Sequence, residues 1–497
     1  MARRESREID HHRAPFFEAL LAYRDQGIIP YSTPGHKRGC GAPEELLAAL
    51  GSSALELDIP IGGGVDDTHR TSGVQREAEA LAADAWGADD ALFLVNGSST
   101  GNIAFLLATC RPGDTVIVAR NLHTSLLSGL ILSGASPVYV FPEIDPDLNL
   151  TLDVSAEAVE QALSDNPDAR AVVLISPSYT GVSSDLSRIA ARCRASGVRL
   201  FVDEAWGPHF PFHPDLPEPA VRAGASGAVT SIHKLLAGLT QASLLTLGPD
   251  VPRESIAPAV SLVETTSPSA LIAASIDVAR RQMALHGREL LDRTINLAHA
   301  ARRELSTIPG ISVIGADVIS GRPGAGHDPT RIMIDVRGTG LTGLEAESLL
   351  RSRARIGVEM SDLTSVIAHV TIGDSRKSID HLIAGFRWLG DRPRSSSRAR
   401  RSEDPPPAGL VASAGRPLLT PREAAMSPSL TVPLEQASGQ VAAETVTPYP
   451  PGIPVMAPGD LITQEALEYL RMARDSGQYI SGPQDASLGT IRVVDQH

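Results

Sequence analysis

Short apolar runs alternate with segments of helical pattern over the first half of the chain. Ala91–Val95, Asp114–Ala119, Pro137–Phe141, Ala171–Ile175, Val198–Asp203 and Gly227–Ile232 read as strands. Between them, Val74–Trp86, Ile103–Thr109, Ser155–Leu163 and Leu186–Ser196 read as helices. This alternation predicts an α/β fold: a mainly parallel sheet with helices on both faces and binding sites at the strand C-termini. Ahead of it, Ala14–Gly27 sets Phe16, Leu20 and Tyr23 at helical spacing and stops at a glycine, so residues 1–30 are expected to form an N-terminal segment. Residues 31–287 make the large domain, closing on the long helix Ala270–His286. The pattern then changes to the strand Arg331–Val336, the helix Gly343–Ala354 and the strand Val366–Ile372, a smaller α+β domain over 288–391. Residues 392–416 are dominated by Arg, Ser and Pro, with Arg398–Arg401 and Pro405–Pro407, and read as a flexible linker. The remainder, 417–497, is expected to be a C-terminal domain.

Composition narrows the function. A chain of 497 residues suits two or three domains, and 42% hydrophobic with 21% charged residues suits a soluble globular protein. The formal net charge of −14 argues against nucleic acid or an anionic membrane as partner, since both reward clustered Lys and Arg. Cys40, Cys110 and Cys193 lie far apart without metal-ligand spacing, as expected in a reducing cytosol. His209 and His213 have suggestive spacing, but Pro211 between them argues against a helical ligand pair, and no metal is expected. Met1–His12 is charged, and no run of 18 or more apolar residues occurs. A cytoplasmic protein, neither secreted nor membrane-inserted, is the expectation.

Three stretches carry candidate chemistry. Lys234 follows the run Gly227–Ile232, with Ser231 and His233 beside it and the small, hydroxyl-bearing loop Ala237–Ser243 behind. An amine so placed suits reaction with a phosphorylated aldehyde, which makes Lys234 a candidate Schiff-base lysine. The strand Val198–Asp203 delivers Asp203 to its C-terminal end. The two together point to pyridoxal 5'-phosphate, whose chemistry needs a lysine to hold the cofactor as an imine and an aspartate to keep the pyridine nitrogen protonated. In the third stretch, Asn96–Asn102 links a strand to a helix, where free N–H groups and the positive helix end face an anion. Ser98, Ser99 and Thr100 are the candidate phosphate contacts, although the Gly-Lys-Ser/Thr ending of a nucleotide-binding loop is missing.

These stretches resemble the ornithine/lysine/arginine decarboxylases, pyridoxal-phosphate enzymes of fold type I. The likeness runs from about Pro30 to the C-terminal region with one gap. Its most specific pieces are Ser231-Ile232-His233-Lys234 with Leu239-Thr240-Gln241-Ala242-Ser243 behind it, Thr266-Ser267-Pro268-Ser269, and Pro448-Tyr449-Pro450-Pro451-Gly452-Ile453-Pro454. The resemblance implies a decarboxylase acting on arginine, lysine or ornithine. It assigns His123 to stacking on the pyridine ring and Ala205 to packing against a ring face, with Ser231 and His233 positioning phosphate or imine. Thr266 and Ser267 would reach the neighbouring subunit's cofactor phosphate, implying a homodimer or larger homo-oligomer with shared sites; Ser269 suits a helix cap equally well, and both readings hold. His36 and Lys37 would stand at the active-site entrance, with Tyr179, Trp206 and His209 near substrate. Glu359 and Asp362 either face the substrate's distal cation or remain exposed carboxylates before a strand, and Glu444 belongs to a domain that would bring acids to the site mouth. Thr124, Thr180 and Ala270 stand where relatives often carry Lys, Tyr and Tyr. Those departures keep open another fold type I reaction on an amino acid, and a cofactor-binding regulator without turnover is the alternative from another class.

Overall fold

The computed structural model describes residues 9–62, 65–66, 73–145, 148, 150–392, 416–449 and 452–495. Nearly all of the expected linker lies outside these residues, as do Pro450 and Pro451 of the C-terminal turn. Its centre is a seven-stranded sheet. The strands are β1 (Asp90–Leu94), β2 (Thr115–Ala119), β3 (Ser136–Val140), β4 (Ala171–Ile175), β5 (Arg199–Asp203), β6 (Gly227–Thr230) and β7 (Ser243–Leu247). They lie in the order β1-β7-β6-β5-β4-β2-β3, with β7 alone running against the others.

Helices cover both faces because successive residues of each strand are apolar and point to opposite sides. The longer helices of the large unit are α1 (Pro15–Asp25), α2 (Val74–Trp86), α3 (Ser98–Thr109), α4 (Thr124–Ser133), α5 (Ala156–Asp165), α6 (Leu186–Ala195), α7 (Arg253–Val263) and α8 (Ala270–Leu305). Val116, Val118, Val173, Phe201 and Val229 pack under α3, α4 and α7. Ile117, Ala119, Val172, Leu174, Leu200 and Val202 pack against α5 and α6.

Two helices run beyond the limits read from the sequence, and β7 and α7 had no counterpart in that reading. The expected helix Ile103–Thr109 begins five residues earlier, at Ser98, so the hydroxylated turn is itself the first turn of α3. The expected helix Ala270–His286 runs on to Leu305, straight through residue 287. Gly287 does not end it: a Cβ there would lie 2.9 Å from Phe212 Cβ, so this glycine permits a close helix approach. The N-terminus of α1 docks on α8, where Asp277 accepts the N–H groups of Phe16 and Phe17 at 2.9 and 3.3 Å.

The far half of α8 carries a four-stranded antiparallel sheet of β8 (Ser312–Ile314), β9 (Arg331–Asp335), β10 (Met360–Ser361) and β11 (Ser365–His369), in the order β8-β9-β11-β10. Ala298, Ala301 and Leu305 of α8 share its core with Ile332, Ile334 and Val366. The smaller unit is stapled to the large one by a separate two-stranded pairing of Gly326–His327 with Val182–Ser183. Residues 416–495 build a separate core around Leu434, Leu467 and Tyr469. No helix among the described residues is long and apolar enough to cross a membrane.

Candidate active site

Asp203 ends β5 and is buried, with both oxygens accepting: Oδ1 from the Ala205 N–H at 3.1 Å and Oδ2 from the Asn102 amide at 2.7 Å. Ala205 is buried beside it. Lys234 lies in the one-turn helix Ile232–Leu235 that follows β6, the strand next to β5. Its Nζ sits 3.8 Å from the centre of the Trp206 indole. Burial, together with the charge of Arg331, brings the Lys234 pKa down from 10.5 to about 8, against the pull of Asp203 and Glu359. A buried amine of this kind is neutral often enough near physiological pH to act as a nucleophile.

The start of α3 closes another side. Ser98 Oγ lies 2.7 Å from Ser231 Oγ and 3.2 Å from Ser243 Oγ, which ties α3 to the loops before Lys234 and at the head of β7. No side chain caps α3, whose N-cap is Gly97, and the Thr100 Oγ1 is buried without a partner. Ser99, half-buried, completes the turn. Uncapped N–H groups, a free hydroxyl and the positive helix end fit a phosphate. His233 Nδ1 donates to the Ala242 carbonyl at 2.9 Å, and burial lowers its pKa. His123 is the N-cap of α4 and remains exposed.

Arg331, at the head of β9, faces the same indole at 4.3 Å. It is buried, its Nη1 donates to the carbonyls of Ser178 and Tyr179 at 3.3 and 2.5 Å, and its Nη2 has no partner. Burial lowers its pKa to about 10, opposed by Asp328 and Glu359. Asp328 and His209 stand behind it: His209 Nε2 is 3.2 Å from Asp328 Oδ2, and Asp328 Oδ2 is 3.8 Å from Arg331 Nε. His369, largely buried, meets Trp206 edge-on at 5.0 Å, with the Glu359 carboxylate 4.0 Å from its Nδ1. Glu359 is 44% exposed, a carboxylate at the rim of a cationic site.

Most of the remaining expected residues are engaged by other groups. Asp362 accepts four hydrogen bonds from its own turn, from the N–H and hydroxyl groups of Thr364 (2.7 and 2.9 Å) and Ser365 (2.7 and 2.9 Å). Glu444 accepts the N–H groups of Gln484 and Arg492 at 2.8 and 2.7 Å. His36 is held by Asp58 at 3.1 Å and by the Gly39 N–H, also at 3.1 Å. Tyr179 reaches the group through its carbonyl, while burial raises its phenol pKa. Thr266 is exposed, and His213 pairs with Asp292 at 2.9 Å. The described residues hold no metal-binding group of three or more His, Cys, Asp or Glu.

Arg331, His369, Asn102 and Ser125 had no role in the sequence reading. The one local signal for Arg331 is a cation heading the apolar run Ile332-Met333-Ile334, which is costly unless something anionic meets it.

Comparison with known proteins places this geometry. Residues 14–378 match the major domain of the Orn/Lys/Arg decarboxylase family, and residues 412–493 match its C-terminal domain. The chain is 36% identical over 489 residues to an arginine decarboxylase of Bacillus subtilis, covering 98% of this chain and 99% of that one. It is 25% identical to the constitutive lysine decarboxylase of Escherichia coli, over 95% of this chain and 79% of the relative. The crystal structure of the Francisella novicida lysine decarboxylase superposes with a TM-score of 0.83 at 23% identity, over 97% of this chain and 81% of that one. The fold is that of the type I enzymes expected from the sequence, and the chain belongs to the Orn/Lys/Arg decarboxylase family.

Proposed function

We propose that this chain decarboxylates arginine, giving CO2 and the corresponding amine, with pyridoxal phosphate held through Lys234. The preference for arginine is supported by several relatives named arginine decarboxylase at 35–36% identity over 98% of the chain, whereas those named lysine decarboxylase stand at 25–26%. One observation carries the chemistry: a buried amine and a buried guanidinium, each with little to neutralise it, against a single indole. Such a site is arranged for an aldehyde and a carboxylate.

In this reading Ser98, Ser99, Thr100, Ser231 and His233 hold the phosphate at the uncapped start of α3, Asp203 the ring nitrogen, and His123 and Ala205 the ring faces. When bound, pyridoxal phosphate supplies an electron-accepting ring that takes up the pair left as CO2 departs. Arg331 receives the substrate's α-carboxylate on its unpaired Nη2, where a charge-assisted hydrogen bond adds to the longer-range pull of Asp328 on a buried cation. Lys234, with a pKa of about 8, accepts and returns a proton near neutral pH. Glu359, partly exposed at the rim, neutralises the distal guanidinium. Trp206 and His369 exclude water from the space between.

The working unit is proposed to be a homodimer in the cytoplasm. Thr266 and Ser267 are exposed in the single chain, next to Leu262 at 75% exposure, and a second copy would cover this edge. The test is incubation of purified, cofactor-loaded protein with arginine, lysine and ornithine in turn, measuring CO2 and amine. Arginine is expected to give a kcat/KM at least about tenfold above the others. A preference for lysine or ornithine overturns the substrate assignment; a keto acid without CO2, or no conversion of any amino acid, overturns the reaction.

A further inference from the structure

A continuous line of four polar side chains joins His123 to Asp203, and the direction of every hydrogen bond in it is forced. Asp203 Oδ2 accepts from Asn102 Nδ2 at 2.7 Å, and its other oxygen accepts the Ala205 N–H. The Asn102 amide has two hydrogens, and the second goes to Ser125 Oγ at 2.9 Å. The Ser125 hydroxyl lies 2.7 Å from His123 Nδ1 and donates to it, because that nitrogen already accepts from a backbone N–H. The Ser125 N–H points at the same nitrogen at 3.2 Å. A ring nitrogen that accepts carries no proton, so the neutral imidazole of His123 bears its proton on Nε2. The reverse orientation of the Asn102 amide would set its oxygen against the Asp203 carboxylate, which settles the assignment.

The backbone is shaped for this line. A Cβ at Gly101 would lie 2.7 Å from Val229 Cγ2, so α3 presses on β6 more closely than any other residue would allow, which brings Asn102 to the end of β5. A Cβ at Gly129 would lie 2.6 Å from Leu106 Cδ1, so α4 presses equally on α3 and brings Ser125 to Asn102. The Phe105 ring stacks on Phe201 at 4.1 Å, pinning α3 over β5. Asn102 and Ser125 are both buried, and the side-chain partners of Asn102 are Asp203 and Ser125.

We propose that Asn102 is a positioning residue: through one amide it fixes the carboxylate of Asp203 and, by way of Ser125, the tautomer and ring orientation of His123. The two groups that meet the edge and the face of the cofactor ring are thereby set relative to each other before the cofactor arrives. The inference rests on the reading that Asp203 and His123 contact that ring.

Asn102→Asp keeps the shape and reverses the donor, while Ser125→Ala breaks the line one step further on. Nitrogen-15 NMR of histidine-labelled, cofactor-free protein reads the tautomer, with the His123 signal identified by its loss in His123→Asn. The wild type is expected to show the Nε2–H form and both variants a shift towards a mixture. Pyridoxal-phosphate affinity, followed by visible absorption, is expected to fall about 10- to 100-fold in Asn102→Asp. Thermal melts of the cofactor-free proteins establish folding; where Asn102→Asp does not fold, Ser125→Ala carries the tautomer measurement. Asp203→Ala is measured beside them. If it binds cofactor as the wild type does, the parent reading fails. If it binds weakly while the relay variants keep wild-type affinity and an unchanged His123 signal, the relay alone is overturned.

Discussion

Lys234 has an environment that favours its neutral form and disfavours its charged one. The pKa falls from 10.5 to about 8 chiefly through burial, so the folded, cofactor-free protein holds a costly cation at pH 7. Unfolded chains bind more protons between those two values, and wild-type stability therefore rises with pH across that window, the cost being fully present below about pH 8. Lys234→Met removes the cation. It is expected to abolish decarboxylation yet stabilise the cofactor-free protein at pH 7 by on the order of 2 kcal/mol. Urea unfolding of both proteins at pH 7 and at pH 10 checks this, and the gap between them should narrow at the higher pH. Trp206 makes the arrangement workable, because its ring face is a weak acceptor that both Lys234 and Arg331 share without either being neutralised.

Among the elements, β2 and the loop after it tie the site to the C-terminal unit. Arg120, immediately after β2, is fully buried and donates to Asp460 Oδ2 at 2.5 Å and to the Pro454 carbonyl at 3.0 Å, with its guanidinium 4.3 Å from the centre of the Tyr139 ring. Asp460 holds the Ala457 N–H at 2.8 Å as well. Three residues beyond Arg120 stands His123, so this ion pair anchors the loop that carries the imidazole proposed to stack on the cofactor ring. Removing one partner leaves an uncompensated buried charge. Asp460→Ala is therefore expected to cost about 3–5 kcal/mol in chemical denaturation, whereas an exposed pair such as Arg376 with Asp380 should contribute under about 1 kcal/mol.

At the scale of the whole molecule, α8 spans both units. Its N-terminus is capped by Ser269 next to the exposed Thr266, and its far end carries Arg302, which donates to the backbone carbonyls of Pro329, Ile314 and Arg331. One helix thus links the proposed inter-subunit edge to the backbone that presents Arg331, the guanidinium proposed to bind the substrate carboxylate. If sites are shared, chains carrying Lys234→Ala and chains carrying Thr266→Glu, each inactive alone, should complement when mixed after dissociation. In mixed dimers one of the two sites has an intact lysine and an intact threonine, so activity should recover to about a quarter of wild type. Recovery of nothing, with mixed dimers verified by differential tagging, would argue for sites complete within one chain.

Much of this architecture was legible from the chain, because strand and helix periods are local properties: the limits of α2 and β4 coincide with the sequence reading, and Asp203 and Lys234 stood out as polar residues ending apolar runs. Local pattern misled where a residue answers to a distant neighbour. Gly287 resembled a helix end and is instead a packing surface for Phe212. Asp362 and Glu444, candidate substrate carboxylates in the sequence, are hydrogen-bonded by Thr364 and Ser365 and by Gln484 and Arg492, contacts that local pattern does not announce. The sequence by itself determined the order of elements and the amine and acid at their ends, since these follow from which residues neighbour which along the backbone. Only the tertiary structure decided that Arg331, from 97 positions beyond Lys234, shares its indole, and that Asn102 bridges Asp203 to Ser125. Such meetings depend on how closely helices approach the sheet, which is set by the absence of a Cβ at Gly101 and Gly129 and by the crossing of α8 from one unit to the other.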